Sequence, residues 1–197
     1  MLALVVCLAG CATRMGSSMT DAGDAGSFVI PTTAPAGSLL LSPRNTHITF
    51  IGSALLNSHE GAFTRFAGQL DYPPGSDLGD ARLTVEIDMT SVVTEIPLLT
   101  RHLKEADFFD VAKYPRASFV STRIRPSPAP GPSGTISGEL TLHGRTRTIS
   151  FPARFTAEPR GVALDATFTI RQSDFGMLSA RTTTDDVPTR VWARLSR

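Results

Sequence analysis

The feature that most restricts this chain is a two-residue hydrophobic period that recurs from residue 45 to the end. Leu83, Val85, Ile87 and Met89 alternate with Thr84, Glu86 and Asp88, the pattern of a strand with one face in a core and the other in water. Ile48 and Phe50 alternate in the same way within 45–52, and Val162, Leu164, Ala166, Phe168 and Ile170 share one face of a later segment. Further strands are predicted at 62–72, 117–124, 135–143, 145–157 and 187–195, so that eight strands are expected. The turn signals between them are PPGSDLGD, the Pro-rich RPSPAPGPSG and the hairpin pair His143-Gly144. Pro188 in the last segment places the start of that strand at an edge or a bulge. Eight short antiparallel strands fit a sandwich or a closed barrel, and closure removes exposed edges. An eight-stranded barrel has an interior that is either filled by side chains or able to hold one ligand. The pattern alone leaves both open.

One stretch breaks the alternation. HLKEADFFDVAKYP, residues 102–115, is charged and carries the adjacent pair Phe108 and Phe109. It lies in the long connection between the third and fourth strands. Ile96, Leu98, Leu99, His102 and Leu103 have helical spacing, predicting a short amphipathic helix there. A connection of that length is usually structured or functional. A helix laid over one end of a barrel, with Phe108 and Phe109 as a plug, would cover apolar core, each ring burying on the order of 2 kcal/mol.

The N-terminus has a different character. MLALVVCLAGC is a short apolar run closing on small residues and a cysteine, the length of a signal-peptide core. Leu8-Ala9-Gly10-Cys11 resembles a bacterial lipobox, although no Lys or Arg precedes Cys11. The resemblance implies cleavage before Cys11 and lipidation of its thiol. Residues 1–10 are then a signal peptide and 11–40 a lipidated cysteine with a flexible linker rich in Ala, Gly, Ser, Thr, Asp and Pro. Such a tether reaches roughly 30 Å on average. The folded domain is expected over 41–197. Without Cys7 and Cys11 it contains no cysteine, which excludes disulfides, zinc-thiolate sites and thiol nucleophiles. Ala12 after Cys11, where no Asp stands, points to outer-membrane sorting by analogy with bacterial lipoproteins.

The net charge of +1 gives no field that would recruit nucleic acid. The histidines His47, His59, His102 and His143 have no metal spacing. No nucleophile elbow or phosphate-cradling glycine loop occurs. No catalytic residue, metal or cofactor is therefore expected, and no enzymatic activity.

HLKEADFFDVAKYPRASFVSTRI resembles the central signature of the YceI-like family of periplasmic proteins. Four further motifs occur in the family's order: Phe50 in the first strand, FTRFAGQLDY with Phe63, Phe66 and Gly68, VEIDMTSVVT, and GELTLHGRTRTISFPARF. IRQSDFGM, with Arg171, Asp174, Phe175 and Gly176, closes the series. The resemblance spans about residues 41–197. It implies an all-β fold: an elongated, eight-stranded antiparallel, lipocalin-like barrel with a short helical insertion. It also implies a polyisoprenoid or quinone-like lipid along the barrel axis and no established enzymatic activity. The expected lipid-contacting residues are Phe50, Phe66, Val85, Ile87, Phe108, Phe109, Phe119, Leu140, Leu142, Phe151, Phe155 and Phe168. A polar mouth is expected from His59, His102, Arg171 and Asp174, with Arg171 and Asp174 paired to each other or capping a turn as the blander reading. The chain departs from the family where many members read Asp-Pro-x-His-Ser and this one reads Ser42-Pro43-Arg44-Asn45-Thr46. A headgroup contact made there by Asp or His is not carried over. The expected role is a periplasmic, lipid-anchored barrel that binds and stores or carries a long isoprenoid. The alternative is a filled barrel acting as a structural or interaction module of the cell envelope.

Overall fold

The computed structural model describes Phe28 and residues 32–54, 57–73, 75–127, 134–177 and 183–197. Cys7 and Cys11 lie outside the described residues, as do most of residues 1–40. Among the described residues, eleven strands form one antiparallel sheet: β1 Ser38–Leu41, β2 Thr46–Ser53, β3 Ser58–Phe63, β4 Phe66–Asp71, β5 Arg82–Asp88, β6 Val92–Thr94, β7 Arg116–Pro126, β8 Gly134–Leu142, β9 Arg145–Glu158, β10 Gly161–Arg171 and β11 Asp186–Ser196. The helix α1 spans Pro97–Leu103 between β6 and β7.

Eleven segments make eight long strands, because three are kinked. β1 and β2 both pair with the kinked run β3–β4, and that run pairs in turn with β5 and β6. Between the pairs Leu41↔Gly68 and Thr49↔Ala62 the first strand advances eight residues and the second six. Between Phe63↔Val92 and Phe66↔Ile87 the third strand advances five against three, the extra residues forming a 3-10 turn at Met89–Ser91. From β5 the meander runs through β7, β8, β9, β10 and β11. β11 then pairs with β2, which closes the sheet on itself and leaves no long free edge. Bulge-like insertions sharpen local bend and twist, as closing a small barrel requires.

Two details correct the sequence expectations. The segment expected as one strand over 62–72 is broken at Thr64–Arg65, and β1 begins inside the stretch expected to be linker. Pro188 lies opposite Thr169 of β10, just before the pairing of β11 with β2 begins at Thr189. The strand is locally an edge there, so the missing N–H costs no ladder bond.

The break at Thr64–Arg65 is held by a buried carboxylate. Asp88 accepts hydrogen bonds from Arg65 Nε at 2.6 Å, Thr90 N at 2.9 Å and Thr90 Oγ1 at 2.6 Å. Burial pushes the Asp88 carboxyl up, but the bonds from Thr90 and Arg65 outweigh it and hold the group below the ordinary carboxylate range. A depressed folded-state pKa contributes stability that is fully present above the unfolded value, near pH 4. That contribution is lost as pH falls through the folded value. Asp88→Asn is expected to cost about 1–3 kcal/mol at pH 7 and less at pH 3, which lies below the unfolded value. Urea unfolding at the two pH values checks this, and an equal loss at both would contradict it.

The β8–β9 hairpin closes through His143 and Gly144, both with positive φ, at 50° and 71°. Two such residues between paired Leu142 and Arg145 make the turn that suits strand twist. A Cβ on Gly144 would stand 2.5 Å from a Tyr114 ring carbon. Gly144→Ala is therefore expected to cost about 1–2 kcal/mol from the backbone alone, plus displacement of Tyr114. A thermal melt measures it.

Candidate functional site

The barrel is hollow over much of its length. Inward side chains enclose a cavity of about 240 Å³ whose walls are almost wholly apolar. Its deep end is set by buried Leu41, Leu83, Ile136 and Leu164. At the other end stand α1, the 105–114 turns and the C-terminal end of β2. The half-exposed polar lining residues Ser53, His59, Thr94, Gln172 and Thr183 gather at that end, which marks it as the mouth. An apolar void of this kind stays dry and favours an apolar guest.

Of the twelve residues expected to contact a lipid, Phe50, Val85, Ile87, Phe108, Phe109, Phe119, Leu140, Leu142, Phe151 and Phe168 line the cavity. Phe66 and Phe155 do not. Phe66 lies directly across from Ile87 and points inward, but it is 1% exposed and packed with Leu39, Leu41, Ile48 and Leu70. Phe155 pairs with Leu164, next to Gly134 and towards the closed end. Alternation assigns a face, but the side chains packed over that face decide whether it meets void or core, since Ile87 and Leu164, directly across from these two rings, do line the cavity. The same alternation contained Ile48, Phe63, Ile149, Ala166, Ile170 and Val191, which also line the cavity.

The aromatic lining is organised around Phe50. A Cβ on Gly61, paired with Phe50 on the neighbouring strand, would stand 2.2 Å from its ring. The ring therefore lies across β3, and bare glycine is what leaves room for it. Phe63 and Phe109 pack on Phe50 with centroids 5.6 and 6.1 Å away. Phe151 stacks on Phe168 at 4.2 Å.

The insertion differs in detail from the expected helix. α1 ends at Leu103, and Phe108 and Phe109 follow in a chain of turns in which Phe109 N donates to Leu103 O and Asp110, at φ 44°, donates to Glu105 O. Leu99 and Leu103 face the cavity, whereas Leu98 and Ile96 are exposed. Phe109 reaches the Phe50–Phe63 pair. Phe108 stands edge-on to His102 at 4.8 Å.

The expected polar mouth is only partly assembled. His59 lines the cavity and its Nδ1 lies 2.6 Å from Glu95, whose carboxyl the His59 hydrogen bond holds below its ordinary value. His102 lies outside the cavity, beside Glu105 at 3.2 Å and Asp107 at 3.7 Å. Arg171 and Asp174 do not line it either, and they are not partners. Arg171 pairs with Asp185 at 3.3 Å and Asp174 is exposed. Asp185 also accepts from Ser173 N and Oγ, both at 2.7 Å, and the Ser173 bonds, with help from Arg171, hold its carboxyl below its usual value. This carboxylate ties β10 to β11, and nothing in its local sequence singles it out.

A closed antiparallel meander around an apolar cavity, with a helical cap at one end, defines a lipocalin-like barrel. The model of the YceI-like domain matches residues 40–193. The chain belongs to the YceI-like family. A UPF0312 protein of Vibrio campbellii (strain ATCC BAA-1116) is 31% identical over 144 residues, 72% of this chain and 75% of its own length. One of Pseudomonas putida (strain W619) is 32% identical over 123 residues, 59% of this chain and 62% of its own; the chain thus spans less than two thirds of that relative. Among solved structures, BcnA of Burkholderia cenocepacia superposes with a TM-score of 0.69 at 22% identity, covering 77% of this chain and 97% of that one. A polyisoprenoid binding domain from Saccharophagus degradans gives 0.63 at 14% identity, covering 82% and 99%. These likenesses show the fold.

Proposed function

We propose that this protein binds a long isoprenoid or similar amphiphilic lipid in its barrel and stores or carries it in the periplasm, held to the membrane through Cys11. The observation that carries the reading is the continuous apolar cavity with its few polar groups at one end. The name of the Saccharophagus degradans domain supports the cargo class. A tail entering the barrel gains about 0.8 kcal/mol for each CH₂ removed from water, so affinity comes from chain length. The His59–Glu95 pair at the mouth suits a polar head. The role involves no bond chemistry. It needs no cofactor, metal or nucleic acid.

Titration of the emptied protein with prenyl quinones of increasing tail length tests the cargo. Affinity is expected to climb with each added isoprene unit until the cavity is full and then to level off. No uptake at any length would overturn the reading. Anchoring is scored separately by fatty-acid labelling in cells, which Cys11→Ser is expected to abolish. A wild-type chain without label would remove the anchor and leave the cargo untouched.

A further inference from the structure

Four large apolar side chains are exposed among the described residues, and all four lie at the mouth end. Leu98 is 65% exposed, Ile51 44%, Ile96 39% and Val93 38%. Ile51 and Val93 flank β3 on the outer face, across from Glu60 and Ala62 respectively, and Ile96 and Leu98 begin the helical insertion beside β6. α1 therefore carries apolar residues on two sides. Leu99 and Leu103 face the cavity, and Leu98 faces water. A helix that only capped the barrel would need the first set alone. Clustering at one end separates this patch from the singly scattered apolar residues normal on any surface.

The position of Phe28 points to what covers the patch. Ser38 starts β1 at the barrel end opposite α1, since it pairs with Asp71. Phe28 nevertheless lies under the guanidinium of Arg116, the first residue of β7, at the α1 end. Phe28 thus stands at the mouth end, and Cys11 stands seventeen residues before it in the sequence. Seventeen residues can span at most about 60 Å.

We propose that the mouth end docks on a lipid bilayer, with Leu98, Ile96, Val93 and Ile51 inserted among the acyl chains. Cargo then passes between membrane and cavity along α1 without crossing water. The docking is apolar in origin. Arg101 and Lys104 on and beside α1 are outnumbered by Glu60, Glu95, Glu105 and Asp107, so binding needs no anionic lipid and persists in salt. The orientation rests on the lipid-carrying reading above, but its test does not.

The test uses the full chain with Cys7→Ser and Cys11→Ser. An environment-sensitive NBD label is placed either at Leu98→Cys or, as a control at the opposite end, at Asp77→Cys. Neither position lines the cavity. Each protein is titrated to millimolar lipid with phosphatidylcholine vesicles, plain or carrying brominated chains, and free of prenyl lipid. At position 98 the label is expected to shift to the blue and to lose roughly half its intensity to brominated lipid, in low and in molar salt alike. At position 77 it is expected to stay unchanged. An unquenched label at 98, or equal quenching at 77, overturns the proposal. Because the protein is emptied by organic extraction or exchange before labelling, the vesicles offer no cargo and no acyl anchor is present, failure of either earlier reading leaves this result legible.

Discussion

A single added ring in the middle of the barrel is expected to abolish lipid uptake while the fold persists. Ala166 is buried on β10, paired with Ala153 and Val191, and its methyl group faces the cavity. In Ala166→Phe the ring has void to enter, so its cost falls at or below the low end of the about 1–3 kcal/mol typical of overpacking. The same ring divides a cavity of about 240 Å³. A long tail then loses the deep half of its burial, and at about 0.8 kcal/mol per CH₂ the loss of six such groups exceeds a thousandfold in affinity. Titration with a prenyl quinone beside a thermal melt separates the two effects. Uptake equal to wild type in a folded variant would mean that the cargo does not lie along the barrel axis.

Removing the plug is the second large effect. In Phe108→Ala with Phe109→Ala, the mouth loses two rings that line the cavity, one of them packed on Phe50 and Phe63. Loss of each ring's apolar contact is worth on the order of 1.4 kcal/mol to a bound tail, so retention is expected to weaken about a hundredfold for the pair. Most of this should appear as faster release, since truncation at a mouth opens the exit. The barrel should keep its fold, because both side chains are only half-buried and follow α1 in turns. Unchanged release from a folded double variant would make the two phenylalanines ordinary packing.

These two residues also show how far the sequence carries. The strands of the meander were legible because one side of each is wet and the other apolar, and that alternation survives in the letters. β1 was not legible. Ser38-Leu-Leu-Leu has no alternation, and Leu40 is the partly exposed member of a strand otherwise buried on both sides. Nor were the kinks: FTRFAGQLDY reads as one strand, and the break at Thr64–Arg65 is held by Asp88 and Ser91, brought in across the fold. Helical spacing found α1, but it could not tell that Leu98 and Ile96 would be left in water. That depends on which side of the helix the barrel rim occupies. Phe66 and Phe155 were rightly placed inside and wrongly placed against the cavity, since the side chains that come to cover an inward ring have no period. Arg171 and Asp174, three apart, suggested a local pairing or a turn cap, and the pairing lost to Asp185, brought in just before β11.

The central claim is that the cavity holds a lipid. The most direct measurement is native mass spectrometry of the Cys11→Ser protein, purified from cells without detergent, followed by analysis of its organic extract. The account predicts a stoichiometric adduct that the extract identifies as a prenyl lipid and that Ala166→Phe lacks. A protein that emerges empty and takes up no prenyl quinone when offered one would contradict it.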